Sequence, residues 1–300
     1  MNLRQLQVLR TLLATGSTIA AAKAMGLSQS GVSRLLQQLE SDLKLTLFAR
    51  DKGRLIPTPE ALRISQNVDH ILLGVDRLNH LAGDLREGVL GPEVVRFGLP
   101  HSMSESIAPA LVAEFAREFP GVQVESFFET TSNMLQLLEH RVIDFAFLRH
   151  EGVTRPGIEM EVIAKGSSVC VLPRDHPLLA LPQITPKDLK GVPLILIGRQ
   201  RSGRATLEEI FGRAGIRQTI RIETHSNVSA CAYVSQGLGV AILSSFFANL
   251  HRAMPIAQRP FEPALSEQFG IATPTGVARS IAADALVACL RRQIMQSQQV

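Results

Sequence analysis

The chain has 300 residues, which is enough for two or three domains with cores of their own. Apolar residues make up 45% of it and charged residues 19%, a composition that argues against extensive disorder. No stretch reaches the run of about 18 apolar residues that a membrane-spanning helix needs. The polar residues at its start differ from the apolar stretch of a signal peptide, so we expect a cytoplasmic protein without a membrane partner.

The cysteines and histidines do not predict a metal site. Cys170, Cys231 and Cys289 lie far apart, and their spacing matches neither a zinc site nor a disulfide framework. The eight histidines are scattered along the chain. We therefore expect buried structural thiols, and neither a metal nor a cofactor.

The positive charge is concentrated at one end of the sequence. Residues 1–60 contain eight basic and four acidic residues, a net charge of +4 that equals the formal net charge of the whole chain. The other 240 residues carry 23 charges of each sign. A basic patch confined to one short segment is what binding to a polyanion requires, so this segment is the first candidate for a nucleic-acid contact.

The same segment predicts three short helices. Leucines three and four residues apart predict a first helix around residues 6–13. A second helix is predicted over residues 19–25, and Gly26 ends it because glycine adopts the left-handed conformation most easily. A third helix is predicted from residue 29 to about residue 42, with Ser28 as its cap.

The third predicted helix has two separate faces. Its apolar face has a helical spacing that holds it to the other two helices, and it consists of Val32, Leu36, Leu39 and Leu43. The opposite face carries Ser30, Ser33, Arg34 and Gln37, with no carboxylate among them. Arginine and glutamine bind guanine and adenine edges in the major groove, while serine contacts phosphate or base. This pattern predicts a DNA-reading helix-turn-helix, and the alternative is a three-helix bundle with a solvated face.

A basic turn follows the third helix and predicts a wing. Leu47 and Phe48 would anchor it, and the turn around Gly53 is expected to lie along the phosphate backbone, with Arg54 reaching the minor groove. The complete set of predicted DNA-binding residues is Thr18, Ser28, Gln29, Ser30, Ser33, Arg34, Gln37, Arg50, Lys52 and Arg54.

A long helix is predicted next, opened by Thr58 and Pro59. Its apolar residues alternate spacings of four and three, and they are Ile64, Val68, Ile71, Val75, Leu78, Ala82 and Leu85. This narrow seam is typical of a coiled coil and predicts a dimer, which would place two reading helices on half-sites about one helical turn apart. The alternative is a long helix packed on its own domain. Gly88, Gly91 and Pro92 predict a hinge after it.

The C-terminal two hundred residues alternate short apolar runs with helical stretches. Strands are predicted at 95–99, 122–127 and 143–148, with helices at 104–118 and 132–140 between them. A second set comprises strands at 168–173, 194–197, 219–223 and 240–243, with helices from Ser202 and Asn227. A final strand at 269–272 and helix at 277–293 are expected to return to the first set. This order predicts two α/β lobes with a mainly parallel sheet.

Ligands of open α/β sheets bind beyond the carboxyl ends of the strands, where helix N-termini offer unpaired amides. The residues at these positions are Ser102, Met103, Ser104, Thr130, Thr131, Ser132, Arg149, Arg199, Ser202 and Asn227. Their hydroxyls, amides and arginines suit a small carboxylate. Each serine or threonine has an alternative role as a helix cap, and Arg149 an alternative role in a surface ion pair.

Four segments of the first sixty residues occur together in one known family. They are Ser17-Thr18-Ile19-Ala20-Ala21-Ala22, Leu27-Ser28-Gln29-Ser30-Gly31-Val32-Ser33-Arg34, Leu39-Glu40 and Leu47-Phe48-Ala49-Arg50. In this order and spacing they closely resemble the winged-helix domain of the LysR-type bacterial transcription regulators. Lys44 and Ala61 depart from that pattern, because glycine is common at both positions. These departures put the local backbone geometry in doubt, but they remove no DNA-contacting group.

The resemblance implies a fold that is α/β overall. It comprises an all-α winged helix-turn-helix at 1–58, a dimerising linker helix at 59–90 and a two-lobed effector-binding domain at 91–300 that is similar to a periplasmic binding protein. Lobe I is expected at about 91–162 and 267–300, and lobe II at about 163–266.

The resemblance also implies a function. Members of the family are transcription regulators, often activators, so we expect this chain to bind promoter DNA as a dimer or tetramer and to contact RNA polymerase. We also expect it to respond to a small-molecule effector and to control a metabolic operon. Residues 169–177 and 222–240 resemble the branch that controls amino-acid and opine metabolism, which suggests an effector with both an amine and a carboxylate. The alternatives are a solute-binding protein and a small-molecule enzyme of amino-acid metabolism, but no catalytic motif is present and we expect no enzyme.

Overall fold

The structure is a computed structural model that describes residues 1–51, 54–87, 93–150, 152, 155–198, 203–276 and 278–299. It divides into two compact units, Met1–Gly91 and Pro92–Val300. Within these described ranges, no helix is both long enough and apolar enough to cross a membrane. The predicted hinge residues Gly88, Gly91 and Pro92 lie outside the described residues.

The first unit contains four helices and a two-stranded hairpin among its described residues. They are α1 (Leu3–Thr15), α2 (Thr18–Met25), α3 (Gln29–Leu43), β1 (Phe48–Asp51), β2 (Arg54–Pro57) and α4 (Pro59–Glu87). Asn2, Ser17 and Ser28 cap the first three helices, each accepting a hydrogen bond from the backbone amide three residues further on. The three predicted helices are therefore present, and the predicted wing contains an antiparallel hairpin, β1–β2.

The core of the first unit joins α3 to α1 and α2. Val32 and Leu39 of α3 are fully buried and Leu36 nearly so, in one cluster with Leu9 of α1 and Ala21 of α2. This is the apolar face predicted for the third helix. Because it is buried, the opposite polar face of α3 is the one left to solvent.

The two departures from the family pattern have clear local effects. Lys44 ends α3 in a left-handed conformation with φ of 54°, which glycine adopts without strain and lysine does not. Ala61, in the first turn of α4, is fully buried in the core of the first unit. The backbone therefore keeps the turn that glycine would favour at residue 44, and the alanine methyl group fills space in the core at residue 61.

The predicted seam of α4 divides into two parts. Val68 is buried and Ile64 partly buried, and both pack into the core of the first unit together with Leu72, which the seam did not include. Ile71 and Leu78 are 44% and 65% exposed. The start of α4 therefore packs on its own unit, which was the alternative interpretation. Further along the helix, Val75 and Ala82 are half-buried, and the side chain of Leu85 lies outside the described residues.

The second unit contains the remaining strands and helices. They are β3 (Val94–Leu99), α5 (Ala108–Glu118), β4 (Gln123–Phe128), α6 (Thr131–Glu139), β5 (Phe145–Arg149), β6 (Ile158–Pro173), β7 (Pro193–Ile197), α7 (Arg204–Arg213), β8 (Thr219–Thr224), α8 (Asn227–Ser235), β9 (Val240–Ser244), α9 (Ser245–Asn249), β10 (Ile256–Pro260), β11 (Ser266–Pro274) and α10 (Ile281–Gln299). The helix predicted from residue 104 begins at Ala108, after a 3₁₀ turn at His101–Met103, and Pro109 occupies its first turn.

The strands form one mixed sheet with the order β4-β3-β5-β11-β6-β9-β7-β8, and β10 pairs with β6. Strand β3 is parallel to β4 and β5, and β7 is parallel to β8 and β9, as the βαβ pattern predicts. We call the part around β3–β5 lobe I and the part around β7–β9 lobe II. The antiparallel strands β6 and β11 connect them, because the first half of β6 pairs with β11 and its second half with β9 and β10.

Each lobe has its own apolar core. Lobe I is filled by stacked and tilted phenylalanines, including Phe97, Phe145, Phe147 and Phe269. The core of lobe II contains Leu194, Leu196, Phe211 and Phe261 on one side of the sheet. The two lobes therefore have separate cores and are joined by β6 and β11. The ends of the parallel strands of both lobes lie at the junction between them.

Candidate functional site

The polar face of α3, which comprises Ser30, Ser33, Arg34 and Gln37, is accessible. Arg34 and Gln37 are exposed, as is Ser30, and Ser33 is half-buried. At the start of the helix the Ser28 hydroxyl accepts a hydrogen bond from the Gly31 amide at 3.1 Å and lies 3.1 Å from the Ser30 hydroxyl. Arginine, glutamine and serine side chains on one accessible face form a surface that can contact base edges and phosphates.

The N-termini of α2 and α3 are linked by side chains. The Gln29 amide donates a hydrogen bond to the Thr18 hydroxyl at 3.2 Å, and Gln29 is exposed while Thr18 is half-buried. Two of the predicted DNA-binding residues are thus brought together at adjacent helix N-termini. Unpaired amides at such termini attract phosphate groups.

The wing is anchored to α3 by a residue that the sequence analysis gave no role. One carboxylate oxygen of Glu40, Oε1, accepts hydrogen bonds from the backbone amides of Leu47 at 2.7 Å and Phe48 at 3.2 Å. Glu40 was noted only as part of a family motif. The backbone of Arg50 and Arg54 lies in β1 and β2, but their side chains and the whole of Lys52 lie outside the described residues.

A hydrogen bond connects the two lobes of the second unit. The Asn227 side-chain amide, at the first residue of α8 in lobe II, donates to the Ser102 hydroxyl in lobe I at 3.1 Å. Ser102 follows β3 and is only 4% exposed. Two residues that the sequence analysis placed beyond the ends of different strands, 125 positions apart, therefore meet at the junction of the lobes.

Arg149 also reaches from lobe I toward lobe II. It ends β5, and its guanidinium Nη2 lies 2.5 Å from Glu267 Oε1 of β11, with side-chain exposures of 23% and 13%. Its guanidinium also lies 3.4 Å from the position that a Cβ on Gly203, at the start of α7, would occupy. The ion pair weighed for Arg149 is present, but it is largely buried at the junction rather than on the surface.

The other predicted effector-binding residues occupy varied positions. Met103 is fully buried in the core of lobe I, and its part in effector binding stays a prediction. Thr130 caps α6 by accepting a hydrogen bond from the Asn133 amide, and the Ser104 hydroxyl donates to the His101 carbonyl at 2.8 Å. Thr131 is half-buried and Ser132 exposed, while Arg199 and Ser202 lie outside the described residues.

Two further polar residues near the junction are buried, and one of them, Arg204, follows the strand predicted at 194–197. Arg204 has a side chain only 2% exposed, and it donates to the Ile197 carbonyl at 2.8 Å, where β7 ends. His251 is 7% exposed. Burial lowers the pKa of His251, while the backbone of Ser102 and the charge of Glu105 oppose the shift. The position of Arg204 after a strand is a signal in the sequence, whereas His251 belongs to no local motif and could not have been found.

The described residues offer no metal site and no reactive thiol. No group of three or more His, Cys, Asp or Glu within the described ranges could hold a metal ion. All three cysteines are buried, and burial raises the pKa of the Cys231 thiol to about 12. The groups that the junction offers are instead the hydroxyl, amide, guanidinium and carboxylate of Ser102, Asn227, Arg149 and Glu267, which suit binding of a polar ligand.

Comparison with known families identifies both units. Residues 3–62 match the family model described as "Bacterial regulatory helix-turn-helix protein, lysR family", and residues 91–294 match the one described as "LysR substrate binding domain". The chain belongs to the LysR family. It is therefore a DNA-binding transcription regulator with an effector-binding domain, and not an enzyme.

The chain aligns with LysR-family regulators over most of the length of both proteins. The chain is 31% identical to the transcriptional activator protein LysR of Escherichia coli over 88% of its own length and 84% of that protein. It is 28% identical to the regulatory protein NocR of Agrobacterium fabrum, with 91% and 90% covered.

Solved structures of LysR-family regulators share the fold. The crystal structure of CbnR matches with a TM-score of 0.66 at 21% identity, covering 98% of this chain and 99% of that one. Full-length CbnR complexed with its target DNA matches with a TM-score of 0.63 at 21% identity, covering 99% and 100%. The predicted fold class is thereby confirmed.

Proposed function

We propose that this LysR-family regulator binds promoter DNA as a dimer or tetramer and responds to a small carboxylate effector, an amino acid or a derivative, to control a metabolic operon. The observation that carries the effector half of this proposal is the hydrogen bond between Ser102 and Asn227 across the junction of the two lobes, with Arg149 placed between Glu267 and the start of α7. Because its DNA target is chromosomal, the protein acts in the cytoplasm.

The polar face of α3 reads the DNA. Residues 1–58 form the DNA-binding domain, with Arg34 and Gln37 directed at base edges and the wing along the phosphates. Residues 59–90 form the dimerising linker, supported by Ile71 and Leu78, which are exposed apolar residues on α4. Two copies joined along α4 would place their reading helices on two half-sites about one helical turn apart.

The effector binds between the lobes in the domain formed by residues 91–300. A carboxylate can accept hydrogen bonds from the Ser102 hydroxyl, the Asn227 amide and the amides at the starts of α7 and α8. Among relatives with 28–29% identity, one is named as the octopine catabolism/uptake operon regulatory protein OccR of Rhizobium meliloti. That name, together with the resemblance of residues 169–177 and 222–240, supports an effector with an amine and a carboxylate.

Effector binding alters regulation by shifting the balance between two arrangements of the subunits. A ligand that bridges Ser102 and Asn227 favours a closed junction over an open one, and it shifts the balance only by the difference in its affinity for the two. The rearranged subunits change DNA bending and the contact with RNA polymerase.

A thermal-shift screen of the purified full-length chain tests the effector site. We expect an amino acid, opine or small carboxylate to raise the melting temperature in a concentration-dependent manner, because a ligand bound only by the native state stabilises it. Ser102→Ala should abolish the shift. Ser126→Ala is the matched control, since Ser126 is an exposed serine on β4 of the same lobe and belongs to no predicted site. Stabilisation of the Ser102→Ala protein equal to that of the wild type would contradict this placement.

Anisotropy titrations with operator and unrelated DNA test the reading face. Arg34→Ala should weaken specific binding by about 1–3 kcal/mol, or roughly 5- to 150-fold, and non-specific binding far less. Arg10→Ala removes another exposed arginine, from α1, and is the control. Equal losses on both DNAs in the Arg34 variant would show that Arg34 contacts only phosphate.

A further inference from the structure

Two buried oxygens at the junction of the lobes have unsatisfied hydrogen-bonding capacity. Among the residues that the structure describes, Glu267 Oε2 and Ser244 Oγ are both buried and neither has a hydrogen-bond partner. The Glu267 side chain is 13% exposed and Ser244 is 8% exposed. Buried polar atoms are nearly always paired, and an unpaired carboxylate oxygen is especially unfavourable, so these two oxygens require a hydrogen-bond donor that the described residues do not supply.

The two oxygens lie on the same side of the connecting strands. Glu267 of β11 pairs directly with Gly166 of β6 in antiparallel register, so both residues project toward the same face. The Ser244 hydroxyl lies 2.5 Å from the position that a Cβ on Gly166 would occupy. Because Gly166 has no side chain, the Ser244 hydroxyl occupies the position of its missing Cβ, beside Glu267. A methyl group at residue 166 would collide with that hydroxyl.

This pair adjoins the proposed effector site through Arg149. The other carboxylate oxygen of Glu267, Oε1, lies 2.5 Å from the Arg149 guanidinium. A negative charge this close offsets the positive charge of Arg149, so a ligand that carries only a carboxylate meets a nearly neutral pair. A ligand with both charges would engage both members of the pair.

From these contacts we infer that Glu267 and Ser244 bind the ammonium group of the effector, so that the site selects zwitterionic amino-acid compounds over carboxylates that lack an amine. An ammonium group offers three N–H donors, enough for Glu267 Oε2, Ser244 Oγ and one more acceptor. Its hydrogen bond to a carboxylate is charge-assisted and therefore strong. This inference rests on the proposed effector site and assigns the second half of the ligand.

Calorimetric titration of the full-length chain with matched ligand pairs tests the assignment. The probes are the standard L-amino acids, each paired with the 2-hydroxy acid that has the same side chain, such as L-alanine with L-lactate. We expect at least one amino acid to bind at least tenfold more tightly than its hydroxy acid. Glu267→Gln should weaken binding of that amino acid at least tenfold and should not weaken binding of its hydroxy acid.

Two further variants separate this role from a structural one. Ser244→Ala leaves the Arg149–Glu267 ion pair in place, and we expect it to weaken binding of the amino acid selectively and to a smaller extent. Glu159→Gln makes the same charge change at an exposed position of β6 and should alter neither affinity.

Three results would overturn the inference. If Glu267→Gln lowers the affinities for the amino acid and the hydroxy acid equally, Glu267 only positions Arg149. If the chain binds amino acids and hydroxy acids equally well, or binds only carboxylates without an amine, no ammonium site exists, although the carboxylate site remains. If no probe binds, both the ammonium site and the amino-acid effector are wrong. A loss caused by misfolding is recognised by a lowered melting temperature of the variant without ligand.

Discussion

Glu40 allows a direct test of how the wing is held to the DNA-reading helix. Its carboxylate accepts hydrogen bonds from the backbone amides of Leu47 at 2.7 Å and Phe48 at 3.2 Å, and both of those residues are buried. Glu40→Ala would leave two amides without an acceptor at the start of β1. We therefore expect the wing to open more often while the three helices stay folded.

The size of the effect follows from these two bonds. A hydrogen bond to a charged group contributes about 1.5–3 kcal/mol. The Phe48 bond is long and Glu40 is only half-buried, so water can partly replace the carboxylate. We expect a total of about 2.7 kcal/mol, which corresponds to roughly a 100-fold larger population of the opened wing.

Hydrogen exchange measured by mass spectrometry on the full-length chain reports this opening. Backbone amides in peptides covering the wing should exchange roughly 100-fold faster in Glu40→Ala than in the wild type, because exchange follows local opening. Glu40→Gln keeps one acceptor oxygen and should give an intermediate rate. Glu60→Ala removes an exposed glutamate from the start of α4 and is the control. Unchanged exchange at Leu47 and Phe48 in Glu40→Ala would refute the role assigned to Glu40.

Three other predictions concern the second unit. Burial holds the pKa of His251 below its ordinary value of 6.5. The unfolded chain therefore binds a proton at this histidine more readily than the folded chain does, and the folded state loses stability as the pH falls below 6.5. The melting temperature should fall on acidification, and it should fall less steeply in His251→Leu. An equal slope in both proteins would contradict this. Gly270→Ala places a Cβ against the Glu161 carbonyl and should lower the free energy of unfolding by about 2 kcal/mol or more. Gly121→Ala is the control, because no described atom lies within 4 Å of its Cβ position. Equal melting temperatures of the two variants would contradict the predicted steric overlap at residue 270. The three buried cysteines should resist iodoacetamide at pH 8 until the chain unfolds, and a mass increase of the native protein would contradict their burial.

The helix-turn-helix could be predicted because its signals are local. The apolar spacing of α3 and the caps at Ser17 and Ser28 act within one or two helical turns. The first half of β6 was missed for the opposite reason. Residues 158–167 include charged side chains and alternate only irregularly between buried and exposed positions, so they form no apolar run. Their strand is defined by its pairing with β11, about a hundred residues further along the chain.

The candidate effector site was predictable only in part. Ser102 and Asn227 were found because residues beyond the ends of parallel strands meet at one edge of a sheet. The burial of Met103 could not be predicted, because a 3₁₀ turn points successive side chains in different directions and Met103 points into the core. Glu267 was missed because its place beside Arg149 depends on the register of β11 against β5 and β6, which no local pattern contains.

Sequencing of the genomic fragments retained by the purified chain at physiological salt is the most direct test of DNA reading by a dimer. We expect enrichment of a small number of sites that share an inverted repeat, with half-site centres about one helical turn apart. Arg34→Ala should lose this enrichment while still retaining bulk DNA. Retention of fragments in proportion to their length by both proteins, without a shared motif, would contradict sequence reading by α3.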